Sequence, residues 1–285
     1  MDIVIRHLLV GWRLSSEVIE MAEVKAVHDE RYLQYPPGEE RYLDWFGERY
    51  AGVFIALNPF FKIDGLYPDN CAWETLIVDN RSGQDATAYP QALLETTGEV
   101  DPEDQLEAME AVVRERATSI TWRQICADAG FAGIPELNRA LLSHIMALNR
   151  RFEDIKGRDR LREFCGRRAI FKPKEGNYHP PMTSRIIELF RSAGLTEVTK
   201  RDELLGDCES VSLDHLFHPD YPTSGRQIFA ADHSLLTVIH WDSFFTLICV
   251  AEERLDTVDL SGFEGFWAQA DTDHNWWLKP PPRVA

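Results

Sequence analysis

The densest run of apolar, β-branched and aromatic positions lies near the C-terminus, at Leu235-Leu-Thr-Val-Ile-His-Trp-Asp-Ser-Phe-Phe-Thr-Leu-Ile-Cys-Val250. Leu235–His240 and Phe244–Val250 each have the length and composition of a strand, with a turn at Asp242-Ser243 between them. Phe244–Val250 is apolar at successive positions, so both of its faces are expected to be covered, as in a central strand. A helix capped by Asp242 or Ser243 is the competing reading, weakened by the β-branched and aromatic residues. Gln227–Ala230 reads as a preceding strand that turns at Asp232-His233. Further on, Ser261–Ala268 suggests a short helix and Asn275–Leu278 an edge strand before the stop at Pro280-Pro-Pro282.

Upstream the period changes from two to that of a helix. Ser16–Leu33 has helical spacing, ended by Pro36-Pro-Gly38, and Tyr42-Leu-Asp-Trp-Phe46 carries no clear period. Ala51–Leu57 is a β-type run stopped by Asn58-Pro59, and Trp73–Val78 a second short strand. Residues 79–104 form a polar, acidic excursion punctuated by Gly and Pro, expected to be a loop. Pro102–Arg116 predicts a helix with Asp101 as N-cap and Leu106, Met109, Val112 and Val113 on one face. Thr121 followed by Gln124 is a capping box, and Gly130 suits the C′ position of the helix it opens. Pro135 then begins a second helix whose spacing runs from Leu137 through His144, Leu148 and Phe152. Ser184–Ala193, closed by Gly194, is a further helix. The fold class expected is α+β, with helices packed on a mainly antiparallel sheet formed largely by the C-terminal third. Residues 1–50 are expected to be a helical extension and 51–285 a single domain.

The helix, glycine-containing turn and helix around Gly130 have the outline of a helix-turn-helix. The second helix, Ala140-Leu-Leu-Ser-His-Ile-Met-Ala-Leu148, is too apolar to offer base edges a polar face. The net charge of −17 over 285 residues also disfavours phosphate binding, so nucleic acid is not an expected partner. Acidity serves solubility in the bland reading; the functional one is a partner with a basic surface. Arg150–Lys174 reverses the trend, with ten basic residues against four acids, which fits a solvated helix face or an anion site.

Five cysteines, Cys71, Cys126, Cys165, Cys208 and Cys249, are odd in number and widely spaced. They suggest neither a disulfide framework nor a cysteine zinc site, and Cys126 and Cys249 fit apolar patterns as core residues. No run approaches the roughly 18 apolar residues of a membrane span. The expectation is a cytoplasmic chain with no membrane partner and no cofactor, since no phosphate-cradling or dinucleotide fingerprint occurs.

Chemistry-bearing residues gather in three places. Lys172, Lys174, Glu175, Asn177 and His179 lie in a Gly- and Pro-rich loop before a helix N-terminus and could hold an anion; the alternative is a rigid connector. His215 and His218 share an i, i+3 spacing next to Asp214 and Asp220, a weak metal candidate broken by Pro219. His240 and Asp242 flank Trp241 where two strands meet, either as an acid–base pair or as a turn in which His240 faces solvent. No G-x-S-x-G elbow is present.

The words Phe54-Ile-Ala-Leu-Asn-Pro59, Leu66-Tyr-Pro68, Thr121-Trp122, Pro135-Glu-Leu-Asn-Arg-Ala-Leu-Leu142, Phe171-Lys-Pro-Lys-Glu-Gly-Asn177 and Asp242-Ser-Phe-Phe-Thr-Leu247 come in a telling order. In them the chain resembles a bacterial family of unknown function, domain-of-unknown-function family 2711, over roughly residues 50 to 278. That resemblance implies no activity, cofactor or site residue. Two functions are therefore weighed on the residues alone. One is an acidic binding protein, of the immunity or antitoxin kind, for a basic partner. The other is an enzyme acting on an anionic small molecule through the Lys/Glu/His loop, with His240 and Asp242.

Overall fold

The strand run at the C-terminus forms the middle of a seven-stranded sheet in which every neighbouring pair is antiparallel. The computed structural model describes residues 31–38, 40–68, 73, 102–201, 208–218 and 226–278. The chain divides into two compact units, Met1–Tyr35 and Pro36–Ala285. Of the first, only a 3-10 turn at Arg31–Leu33 and its flanking residues are described. Of the expected helix Ser16–Leu33, the strand Trp73–Val78 and the excursion over 79–104, residues 16–30, 74–78 and 79–101 lie outside the described residues.

In the second unit the helices are α1 (Tyr42–Phe46), α2 (Pro102–Arg116), α3 (Trp122–Ala129), α4 (Ile134–His144), α5 (Ile155–Arg168) and α6 (Thr183–Ser192). The strands are β1 (Gly52–Leu57), β2 (Phe60–Lys62), β3 (Thr118–Ile120), β4 (Glu197–Arg201), β5 (Cys208–Ser212), β6 (Gln227–Phe229), β7 (Leu235–Val238), β8 (Phe245–Val250) and β9 (Gly265–Trp267). The large sheet runs β5-β4-β6-β7-β8-β1-β9, and β2 pairs with β3 apart from it. The fold is α+β, and the sheet comes mainly from the C-terminal part with β1 inserted between β8 and β9.

β8 is buried at all six positions, as its two-sided apolar pattern requires. Its register with β1 sets Phe54 opposite Ile248 and Ala56 opposite Thr246. On that face Phe54, Ala56, Ile248 and Val250 join Ile186, Leu189 and Phe190 of α6. Successive side chains alternate between faces, so Phe245, Leu247 and Cys249 point the other way. There Phe245 meets Trp276 at 5.9 Å between ring centres, and Trp276 also meets Phe266.

The helix signals act as expected. The Thr121 side chain accepts from the Gln124 amide, Gly130 takes the left-handed conformation at φ +73°, and Pro135 stands in the first turn of α4, one residue after its start. Glu264 adds what no local pattern shows. Its carboxylate accepts from the Trp122 and Arg123 amides at the N-terminus of α3, which a carboxylate suits by charge and by geometry.

Three expectations need correction. The helix after Pro135 stops at His144 rather than continuing to Phe152. Ser143 there accepts from the Asp154 amide at 2.8 Å, folding the chain back so that Asp154 caps α5. Ser261–Ala268 is not a helix but carries β9, because Gly265 leaves room for close pairing. A Cβ at Gly265 would stand 2.0 Å from the Ile55 carbonyl oxygen. Asn275–Leu278 holds a 3-10 turn, Trp276–Leu278, rather than an edge strand, with Trp276 and Trp277 turned inward.

Candidate functional site

The loop from Phe171 to Met182 carries Lys172, Lys174, Glu175, Asn177 and His179, and its backbone explains what it does. Phe171 exchanges both amide–carbonyl bonds with Phe61, and the two rings stack with centres 5.0 Å apart. The Trp73 indole donates to the Lys172 carbonyl at 3.0 Å. Gly176 donates to the Ser243 carbonyl at 3.1 Å. The Tyr178 hydroxyl, buried between sheet and helix, donates to the Thr237 carbonyl at 2.9 Å. The segment is a strap laced to β2, to the turn after β7 and to β7 itself.

Its side chains are correspondingly withdrawn. The ammonium of Lys172, 5% exposed, lies 2.9 Å from His144 Nε2. Lys174 pairs with Glu110 at 3.6 Å and covers the face of Trp73. Burial lowers the Lys174 pKa, and the attraction of Glu110 offsets that only in part. Lys172, Lys174 and Glu175 do share a cavity with Trp73, His144 and Phe244, but its volume is about 20 Å³, room for a single water. Asn177 bonds back to the Glu175 carbonyl.

His179 is a core group. Its Nε2 lies 2.8 Å from the Pro59 carbonyl oxygen and must donate, because a carbonyl can only accept. That leaves Nδ1 as a lone pair without a partner, among Phe61 and Trp73. Burial, with the nearby Lys174 charge adding to it against the Pro59 hydrogen bond, pushes the His179 pKa down to about 3.

His215 and His218 meet edge-on at 6.2 Å between ring centres in the turn after β5. Asp214 turns instead to Arg191 at 2.6 Å, and Asp220 lies outside the described residues. The described residues bring this pair no third ligand. A larger depression, about 510 Å³, runs along α6 past Arg185, Glu188, Arg191 and Asp259. It carries both signs of charge, and Arg191 is engaged by Glu188 as well as Asp214.

The corner between β7 and β8 is built differently. The chain leaves β7 at Val238 and returns at Phe245, and Ser243 ties the turn by donating from its amide to the His240 carbonyl at 3.1 Å. The Asp242 carboxylate is hydrogen-bonded to His240 Nδ1, and the His240 side chain is mostly covered. A third group joins them. His274, carried in just before the Trp276–Leu278 turn, sets Nε2 3.7 Å from the same Asp242 oxygen, and its ring centre lies 4.6 Å from that of His240. One donor atom from each of the three lies within 4.8 Å of the others. Side-chain exposures of 24%, 17% and 20% leave the cluster reachable from solvent yet partly desolvated.

Burial raises the Asp242 pKa, but the His240 hydrogen bond and the charges of His240 and His274 outweigh it, leaving the carboxyl below its ordinary value. Burial lowers the His274 pKa and the His240 charge adds to it, against the attraction of Asp242 and Asp273. Two imidazoles around one ionised oxygen can hold a cation or pass a proton. Trp241, between the two sequence-predicted members, is 60% exposed. His274 had no local signal: nothing in its spacing ties it to a turn so far upstream.

Fold and corner together define an α+β protein with a mixed imidazole–carboxylate cluster at one turn of its central sheet. The chain belongs to the family described as "Protein of unknown function (DUF2711)", whose profile matches residues 38–278. No curated protein and no solved structure matches it significantly.

Proposed function

We propose that the chain works as an acidic binding protein for a partner with a basic surface, in the manner of an immunity or antitoxin protein. The observation that carries this reading is how the basic segment is used. Arg158 and Arg162 pair with Asp159, Arg160 with Glu136, Arg167 with Glu163, Arg168 with Asp128 and Lys174 with Glu110. Each exposed pair is weak, but each sets a basic residue against an acid of the same chain, so the negative excess of the −17 net charge lies outside these pairs. The exposed Trp241 supplies the kind of aromatic anchor around which interfaces concentrate their energy. The test is capture by the immobilised full chain at low salt and release at high salt, with a neutral protein as control. Enrichment of a basic protein that Trp241→Ala fails to retain supports the reading; a captured set no more basic than the control's refutes it.

A second reading, an enzyme acting on an anionic small molecule, is favoured by one observation: the convergence of His240, Asp242 and His274. The strap lysines line a cavity of only about 20 Å³, which favours the histidine corner over them as the place for such a site. Turnover of phosphate or carboxylate esters that Asp242→Asn abolishes would support it; activity untouched by that change would refute it.

A further inference from the structure

We propose that His240, Asp242 and His274 form a binding site for a first-row divalent transition metal of the zinc class. The inference is independent of the binding reading above and rests on donor chemistry and placement. His240 Nδ1 and His274 Nε2 both approach Oδ1 of Asp242, and the three donor atoms lie within 4.8 Å of one another. Metal–ligand bonds of about 2.0–2.2 Å at tetrahedral angles put neighbouring donors roughly 3.3–3.5 Å apart. The 3.7 Å between His274 and Asp242 needs only a small contraction to reach that spacing.

The donor set selects the ion. Two imidazoles and one carboxylate suit Zn²⁺ and its neighbours, whereas Mg²⁺ and Ca²⁺ require oxygen. Three protein ligands leave a coordination position open to water or to an anionic group, the arrangement of sites that act on a ligand rather than only brace a fold. The surroundings fit an ion that enters from solvent. The three side chains are partly exposed, and the Phe245 ring centre stands 6.3 Å from that of His274. The turn itself is held from below, because Gly176 approaches so closely that a Cβ there would stand 2.2 Å from the Trp241 carbonyl oxygen. Two ligands thus ride on a braced turn and the third arrives on a separate segment anchored by Trp276 and Trp277.

The experiment is calorimetric titration of the chelator-stripped full chain with Zn²⁺, paired with Co²⁺ absorption spectroscopy. The wild type is expected to bind one ion per chain, with visible Co²⁺ bands and no thiolate charge-transfer band. Asp242→Asn and His274→Gln are each expected to weaken binding by about 100-fold or more, beyond the cost of losing an outer-shell partner. Metal-free melting curves accompany each variant, and if Asp242→Asn fails to fold, His274→Gln, on a different segment, decides. Absence of stoichiometric binding, binding that survives both variants, or a thiolate band that assigns the ion to cysteine each overturns the proposal.

Discussion

His179 gives the sharpest stability prediction, because its environment leaves so little room for a proton. The ring donates once, to Pro59, and its other nitrogen is a buried lone pair among aromatic rings. Protonation would create a second N–H with no acceptor and a charge facing the Lys174 ammonium. The folded-state pKa therefore falls from the ordinary 6.5 to about 3. The sign follows from proton counting: from pH 6.5 downward the unfolded chain takes up a proton that the folded chain refuses, so stability is lost as pH falls and the loss levels off below pH 3. Each unit of difference is worth about 1.4 kcal/mol, so this one group should cost about 2 kcal/mol between pH 7 and pH 5, and about 4 kcal/mol by pH 3. The assay is urea unfolding of wild type and His179→Gln at a series of pH values. Glutamine can still offer an N–H to Pro59 but does not titrate, and carboxylates common to both proteins cancel in the difference. The gap between the two curves should shrink by about 2 kcal/mol from pH 7 to pH 5. Parallel curves across that range would refute the buried, neutral assignment.

Three further outcomes follow from single contacts. Gly176→Ala should destabilise the fold by at least about 1–2 kcal/mol from its left-handed backbone alone, and by more as the new Cβ meets the Trp241 carbonyl; an unchanged urea midpoint with unchanged Trp fluorescence would show that strap and turn are not in contact. Glu264→Gln removes the charge at the α3 N-terminus and should cost about 0.5–1 kcal/mol by the same assay, with a stability equal to wild type counting against that cap. Asp232 accepts from the Ser234 amide and hydroxyl and from Arg254, and the Ser234 hydroxyl foremost holds its carboxyl below the ordinary range. Its stabilisation is therefore present above the ordinary carboxylate pKa and lost as pH falls, so Asp232→Asn should be least costly in acid; a pH-independent penalty would contradict this.

What the sequence makes visible is decided locally. Two-sided apolarity names β8 as a central strand, and Thr121, Gly130 and Pro135 mark helix ends because capping needs only residues a few positions apart. What stays hidden depends on distant partners. Gly265 favours a strand only because the Ile55 carbonyl lies beneath it, and Ser143 ends α4 only because Asp154 folds back onto it. Glu264 reads as an ordinary surface acid until the N-terminus of α3 arrives beside it. Asp242 and His240 are visible as a pair from their spacing, while His274 joins them only through the path of the C-terminal segment. The strap's Lys, Glu and His have the composition of an anion site, and composition says nothing of the hydrogen bonds that bury them.

That contrast separates the two candidate centres on physical grounds. A binding group must be able to exchange water for its ligand, and must be held by contacts that survive the exchange. Lys172, Lys174 and His179 have already exchanged water for protein: an imidazole, a carboxylate with an aromatic face, and a backbone carbonyl. Removing His179 leaves the buried Pro59 carbonyl unsatisfied, and removing either lysine takes a contact from half-buried His144 or Glu110, so their substitution should appear first as lost stability. His240, Asp242 and His274 keep access to solvent while the turn beneath them is fixed by Gly176 and Ser243. Their substitution should leave the sheet intact and appear first as lost ligand binding. The strap is thus the foundation of the corner: it spends its polar groups to fix the turn on which the exposed donors stand.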